Sequence, residues 1–268
     1  MSEQDRSVTH PAGNRPQPSD VVLGGQTNIP STGFVLGGLD GVRRRLQTDE
    51  IEYRIAALTE AIQHGQRGLD LVIRALRDRS EQVQWAAYDI LRAQPQPRAK
   101  LALQLFSSTR VNYTPLKDLL KQKQWQAADR ITKDLMLKAS GKTPYRNLVY
   151  QLKEQDIQEF PCEDLAIVDR LWHKYSYGNF GFSIQQQIWQ KCDHNRWDKG
   201  EAWGLFGDRV GWRTYNVLQL SHHWKQFEEL DFSLNAPRGH LPWLFGIFTL
   251  EAISDRFAAC HLQLGSLK

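Results

Sequence analysis

The 268-residue sequence has no long apolar run. No stretch approaches the roughly 20 apolar residues that a membrane-spanning helix needs, so no transmembrane segment is expected; peripheral membrane association stays open. The N-terminus, Met1-Ser-Glu-Gln-Asp-Arg, carries acids and no apolar stretch. No secretory signal is therefore expected, and a cytoplasmic location is. Cysteine is scarce. Cys162, Cys192 and Cys260 lie far apart and are odd in number, which argues for a reducing compartment and plain thiols. Charge of one sign is lacking too: 34 Lys and Arg face 30 Asp and Glu, for a net charge of +4. The longest basic cluster, Arg43-Arg44-Arg45, is followed at once by Asp49 and Glu50 and reads as a solvated helix start. A nucleic-acid partner would call for a more concentrated basic stripe and is not expected.

Catalytic signatures are missing as well. Ser140-Gly141-Lys142-Thr143 ends like a phosphate-binding loop, but Met136 stands where the first glycine belongs and a helical period leads in. No G-x-S-x-G elbow, H-E-x-x-H or kinase signature occurs. None of the eight histidines pairs with a carboxylate at metal-ligand spacing, and His222-His223 reads as a solvated pair. The chain is therefore not expected to be an enzyme, to need a cofactor or to hold a metal.

What is present is tryptophan and helical periodicity. Hydrophobic residues make up 41% of the chain, enough for a packed core. Nine tryptophans occur, eight of them at or after Trp125, so aromatic surface is concentrated in the C-terminal part. Residues 1–40 are rich in Pro, Gly, Ser, Thr and Asn and should form a flexible arm. Within it Val22-Leu23-Gly24-Gly25 recurs as Val35-Leu36-Gly37-Gly38, read as spacer or docking string. A helical domain is expected over 41–110. Ile51, Ile55, Leu58 and Ile62 mark one stripe, broken by Gly65 and Gly68. Leu69, Val72 and Leu76 mark a second, and Val83, Ala86, Ala87, Ile90 and Leu91 a third behind an N-cap at Ser80. Residues 68–93, Gly-Leu-Asp-Leu-Val-Ile-Arg onward, resemble a HEAT-like helical repeat pair. A second domain is expected over 111–264, with helices from Leu116, Trp125, Leu165 and Ile184, and irregular aromatic chain from Cys192 to Pro242. Alternation of the strand kind is scarce, so the fold class is all-α.

Four ordered motifs carry a resemblance. Tyr113-Thr-Pro-Leu-Lys-Asp-Leu-Leu120 leads into Trp125-Gln-Ala-Ala-Asp129. Then come Asp164 to Trp189, containing Tyr-Gly-Asn-Phe-Gly-Phe-Ser, and Arg209-Val-Gly-Trp-Arg213. Ser233-Leu-Asn-Ala-Pro-Arg-Gly-His-Leu-Pro242 closes the set. Over these roughly 150 residues the chain resembles the genomes-uncoupled-four family. The resemblance implies a non-catalytic protein of oxygenic phototrophs that binds protoporphyrin IX, magnesium-protoporphyrin or another tetrapyrrole. It also implies regulation of chlorophyll synthesis through a magnesium chelatase subunit or another protein.

A porphyrin is a flat apolar ring with two propionates at one edge, and it asks for an aromatic and aliphatic palm with a basic rim. Phe180, Phe182, Ile184, Ile188, Trp212 and Trp243 are candidates for the palm, with Leu241 at the far wall. Arg209, Arg213 and Arg238 are candidates for the propionates, which arginine meets bidentately. Trp172 and Trp189, at helical spacing, read as core. On this assignment Phe180→Ala should weaken ligand binding and leave stability little changed. The sequence departs from chelatase-stimulating members after Pro242. There Trp243 to Leu250 is apolar, and Phe248 stands near the place of an expected arginine, which weakens propionate recognition. A paralogue that keeps the fold for a more apolar ligand, or a ligand-free module whose groove takes a partner peptide or helix, is the alternative.

Overall fold

Helical periods govern the chain, as the spacing predicts. The computed structural model describes residues 38–142, 152–193, 199–216, 220–243 and 247–262. The expected arm and its Val-Leu-Gly-Gly repeat lie outside the described residues, apart from positions 38–40. The chain divides into two compact units, Met1–Leu103 and Gln104–Lys268.

The first unit contains α1 (Gly38–Arg45), α2 (Ile51–Ala61), α3 (Gly65–Ala75), α4 (Glu81–Arg92) and α5 (Pro97–Ala102). The second and third stripes lie largely where the periodicity puts them: Leu69, Val72, Leu76, Val83, Ala87 and Leu91 are buried, while Ala86 and Ile90 at the edge of the third are half-buried. The buried face of α2 is rotated from the expected one. Leu58 is inside, but Ile51, Ile55 and Ile62 are half-buried, while Ala57, Ala61 and Arg54 face the core. A buried charge needs partners. Arg54 Nη1 donates to the carbonyls of Thr48 (2.8 Å) and Asp49 (3.1 Å), and Nη2 pairs with Asp78 (3.2 Å). Gly68 does not break a helix. It sits inside α3, where a Cβ would collide with the carbonyl of Ala61 on α2, so glycine permits the close approach. Arg43, Arg44 and Arg45 form the last turn of α1 rather than a helix start, where positive charge complements the carbonyl end. Arg43 pairs with Asp40 and Arg45 with Glu60. Ser80 stands at the N-cap of α4 without a side-chain capping bond.

The second unit contains α6 (Thr114–Lys121), α7 (Trp125–Ala139), α8 (Glu154–Gln158), α9 (Cys162–Tyr175), α10 (Phe182–Asp193), α11 (Lys199–Val210), the hairpin strands β1 (Arg213–Asn216) and β2 (Ser221–Trp224), and α12 (Ile247–Ala259). Helix α11 and the hairpin occupy the stretch expected to be irregular. The strands pair antiparallel, Arg213 opposite Trp224 and Asn216 opposite Ser221. The main core gathers Trp125, Trp172, Phe160, Val168, Leu171, Ile253 and Phe257. Trp172 lies in it as expected, its Nε1 donating to Thr132 Oγ1 at 3.0 Å. The loop before α6 is tied to α9 by Asp164, which accepts from Thr109 Oγ1 (2.9 Å) and Tyr113 OH (2.7 Å).

The expectation of three thiols is corrected. Cys162, the first residue of α9, is disulfide-bonded to Cys260, just past α12, at a sequence separation of 98 and with 5.4 Å between Cα atoms. Helix α12 packs along α8 and returns to the start of α9, so distance in sequence says nothing of distance in the fold. Of the three cysteines, Cys192 remains a buried thiol.

Candidate aromatic ligand site

Three of the sequence motifs converge in the second unit through backbone and buried side-chain hydrogen bonds. Gly181 N–H donates to the carbonyl of Leu241 (3.0 Å) and Gly239 N–H to that of Asn179 (2.8 Å). Gln185 Nε2 donates to the carbonyls of Gly239 (2.9 Å) and Pro242 (2.8 Å). Trp212 Nε1 donates to the carbonyl of His240 at 2.7 Å. His240 itself is fully buried and uses both ring nitrogens. Nδ1 donates to the carbonyl of Val210 (2.6 Å), and Nε2 accepts from Asp231 N–H (3.1 Å). That pattern requires the neutral ring, and burial accordingly holds the His240 pKa below its ordinary value. Asp169 Oδ1 accepts from Ser183 N–H (2.8 Å) at the start of α10, and burial raises its pKa.

On this junction stands an aromatic floor. Trp203 of α11 stacks on Phe206 (5.6 Å, 11°) and on Trp224 of β2 (4.8 Å, 17°), and meets Trp212 edge-on at 6.2 Å. Two glycines on α11 make room for this. A Cβ at Gly207 would lie 2.5 Å from the Trp224 ring, and one at Gly204 would collide with the Arg213 guanidinium. The pair Arg213 and Trp224, opposite each other in the hairpin, thus lies flat on the glycine face of the helix. Phe227 continues the surface toward Phe232 (5.0 Å) and Trp243 (5.8 Å), and the Arg130 guanidinium lies 5.1 Å over its ring. Trp203, Trp224, Phe227, Phe232 and Trp243 are half-buried, so part of each side chain reaches the surface here.

The ten residues named from sequence separate into three groups. Phe180, Phe182, Ile184 and Leu241 have no exposed surface, and Phe180 packs against Trp125 (5.6 Å) and Trp172 (6.3 Å). Ile188, Trp212 and Trp243 belong to the same cluster as the aromatic floor, with Trp212 wholly inside and the other two half-buried. Trp189 joins the same cluster as core. Among the arginines, Arg213 is half-buried with Nε 3.6 Å from Asp208, Arg209 is exposed with Nη1 3.3 Å from Cys192 Sγ, and Arg238 is exposed. The side chain of Phe248 lies outside the described residues. Sequence reasoning missed Trp203, Phe227, Arg130 and Asp129. The signal for the first was the Trp-Gly-x-Phe-Gly string of residues 203–207, where glycines alternate with rings at helical spacing.

Asp129 on α7 holds the edge of the floor, its Oδ1 accepting from Trp243 N–H at 2.6 Å. Burial pushes its pKa up to about 7, against the lowering effects of the Trp243 N–H, Lys133 and Arg130. Among the described residues no group of three or more His, Cys, Asp or Glu could hold a metal ion. No helix of the described residues is long and apolar enough to cross a membrane. A cavity of about 300 Å³ in the first unit, lined by Arg43, Leu46, Leu71 and Arg74 among others, has no aromatic wall and is at the small end for ligand sites.

The model of the family described as GUN4-like matches residues 106–256, more than half of the chain. The chain belongs to the GUN4-like family. It is 32% identical over 154 residues to protein ycf53 of Pyropia yezoensis, which covers 57% of this chain and 59% of that one. It is 28% identical over 131 residues to the chloroplastic tetrapyrrole-binding protein of Arabidopsis thaliana, covering 47% and 46%. The structure of GUN4 from Chlamydomonas reinhardtii is 28% identical with a TM-score of 0.44, over 56% of this chain and 91% of that chain. The chain thus spans about half to three-fifths of the length of the curated relatives it matches. The GUN4-like segment holds the whole junction and the floor.

Proposed function

We propose that this GUN4-like chain binds a tetrapyrrole without transforming it and regulates tetrapyrrole supply through the bound state. The observation that carries the reading is the half-buried aromatic cluster of Trp203, Trp224, Phe227 and Trp243, with Arg130 over the Phe227 ring and Arg213 beside Gly204 on the Trp203 helix. Flat apolar rings stack on such a surface, and guanidinium groups at its edge suit propionates. The similarity to the tetrapyrrole-binding protein of Arabidopsis thaliana supports the same ligand class. We place the ring on this floor rather than on Phe180 and Phe182, which offer no surface. Protoporphyrin IX and magnesium-protoporphyrin are the proposed ligands, and stimulation of magnesium chelatase the proposed output. The compartment is then one that makes tetrapyrroles, cytoplasm or plastid. The helical first unit would serve docking.

A tryptophan-quenching titration with protoporphyrin, magnesium-protoporphyrin, haem and a bilin tests the reading. Saturable micromolar or tighter binding of at least one, weakened tenfold or more in Trp224→Ala, is the expected result. Unsaturable quenching by all four would sink the proposal and turn the floor into a protein-contact surface.

A further inference from the structure

The bond between Cys162 and Cys260 lies outside the aromatic floor, and both residues are half-exposed. Its two ends sit at opposite poles of helix dipoles, Cys162 at the start of α9 and Cys260 just past the end of α12. Cys162 is the first residue of the 14-residue α9, where backbone N–H groups without helical partners and the positive end of the dipole stabilise a thiolate. The two acids of that turn oppose this effect, and both accept hydrogen bonds from the 107–113 loop. Glu163 accepts from the N–H (2.9 Å) and hydroxyl (2.6 Å) of Ser108, and Asp164 from Thr109 and Tyr113. Cys260 instead follows the last turn of α12, and its N–H donates to the carbonyl of Arg256 at 2.9 Å. A thiolate there meets the negative end of a dipole. The basic residues beside Cys260 are His261 and Arg256, whose Nε donates to the carbonyl of Phe160 (2.6 Å).

In thiol–disulfide exchange the sulfur with the lower thiol pKa leaves faster. We propose that Cys162–Cys260 is an exchange site for an external dithiol protein, entered at Cys260 with Cys162 as the leaving thiolate. A thiolate of the dithiol attacks Cys260 Sγ, the bond to Cys162 Sγ breaks, and Cys162 departs with the electron pair and takes up a proton. The second thiol of the reductant, deprotonated, then attacks its own sulfur in the mixed disulfide. Cys260 leaves as a thiolate and is protonated. Two electrons and two protons have entered the chain, and the dithiol has become a disulfide. The end of α12 loses its covalent tie to the start of α9, while Phe257 in the core and the Arg256 bond keep it seated.

The test uses the full chain under native conditions with a thioredoxin-type protein whose resolving cysteine is replaced by serine. The trapped mixed disulfide is digested and mapped by mass spectrometry. An adduct on Cys260 at least tenfold over Cys162 is expected, together with full reduction by the intact dithiol protein without denaturant. An adduct on Cys162, or an even division, overturns the direction of entry. A bond that opens only in denaturant overturns the exchange site and leaves a structural crosslink. A second measurement compares single thiols: the pH midpoint of iodoacetamide alkylation should lie lower for Cys162 in Cys260→Ser than for Cys260 in Cys162→Ser. Equal or reversed midpoints contradict the electrostatic argument.

Discussion

Asp129 and His240 are both buried beside the candidate site, and they respond to pH in opposite senses. The folded Asp129 holds its proton up to about pH 7, whereas the unfolded chain releases it near 4. Between those values the folded state binds more protons, so stability attributable to Asp129 is lost as pH rises through that window. Asp129→Asn keeps an oxygen for Trp243 N–H and removes the ionisation. Relative to the parent it should gain on the order of 3 kcal/mol between pH 4 and pH 8 in urea denaturation. A constant difference across that range would show that Asp129 ionises as an ordinary surface acid. The lowered pKa of His240 works the other way. The unfolded chain takes up a proton below about 6.5 that the folded ring refuses, so stability is lost on acidification below that point. Replacing His240 by Ala leaves Val210 O and Asp231 N–H without their partner and should cost roughly 2–4 kcal/mol at neutral pH. For Phe180 the structure reverses the expected stability effect. With the ring wholly buried against Trp125 and Trp172, Phe180→Ala should destabilise by about 3–5 kcal/mol, read as a fall in the urea midpoint.

At the scale of elements, the contact between α11 and the hairpin rests on two residues without side chains. Gly207→Ala places a methyl 2.5 Å from the far edge of the Trp224 ring, and the indole must shift from its place against Trp203. A loss of about 1–3 kcal/mol is expected, with a changed near-ultraviolet circular dichroism spectrum from the separated indoles. An unchanged spectrum would mean that Trp224 does not stack in solution. The same glycines explain why this region could not be read from sequence. Gly200, Gly204 and Gly207 lower helix propensity, and the aromatic positions follow the rings they stack on rather than one apolar face. The helices α3, α4, α7 and α9 were legible because Leu, Val and Ala recur on the face that is buried. Helix α2 was half-legible: its period was right, but a buried arginine with carbonyl and carboxylate partners is invisible to a hydrophobic pattern. The motifs named the segments that meet at the junction. They did not tell which rings close the core, as Phe180 and Phe182 do, and which reach the surface, as Trp243 does.

At the scale of the molecule, the Cys162–Cys260 bond crosslinks positions 98 residues apart. Loop-closure entropy assigns such a crosslink about 4–5 kcal/mol, acting through the unfolded state. Urea unfolding of Cys162→Ser should show a loss of that order with the helical content of the native state kept. A loss under 1 kcal/mol would indicate that the unfolded chain is already compact without the bond. The pairing was illegible in the sequence because three cysteines offer several connectivities and none is favoured by spacing.

The bond also makes a covalent ring of the polypeptide between its two ends. Every junction segment, 179–185, 209–213 and 233–242, and the whole Trp203–Trp224 stack lie within that ring, while Asp129 and Arg130 approach from outside it. A single backbone cut anywhere between Cys162 and Cys260 therefore leaves one covalent molecule rather than two fragments. The edge of the floor contributed by α7 lies on the chain that leads into the ring at Cys162, so only a cut between Ala139 and Cys162 would leave it held to the ring by folding alone.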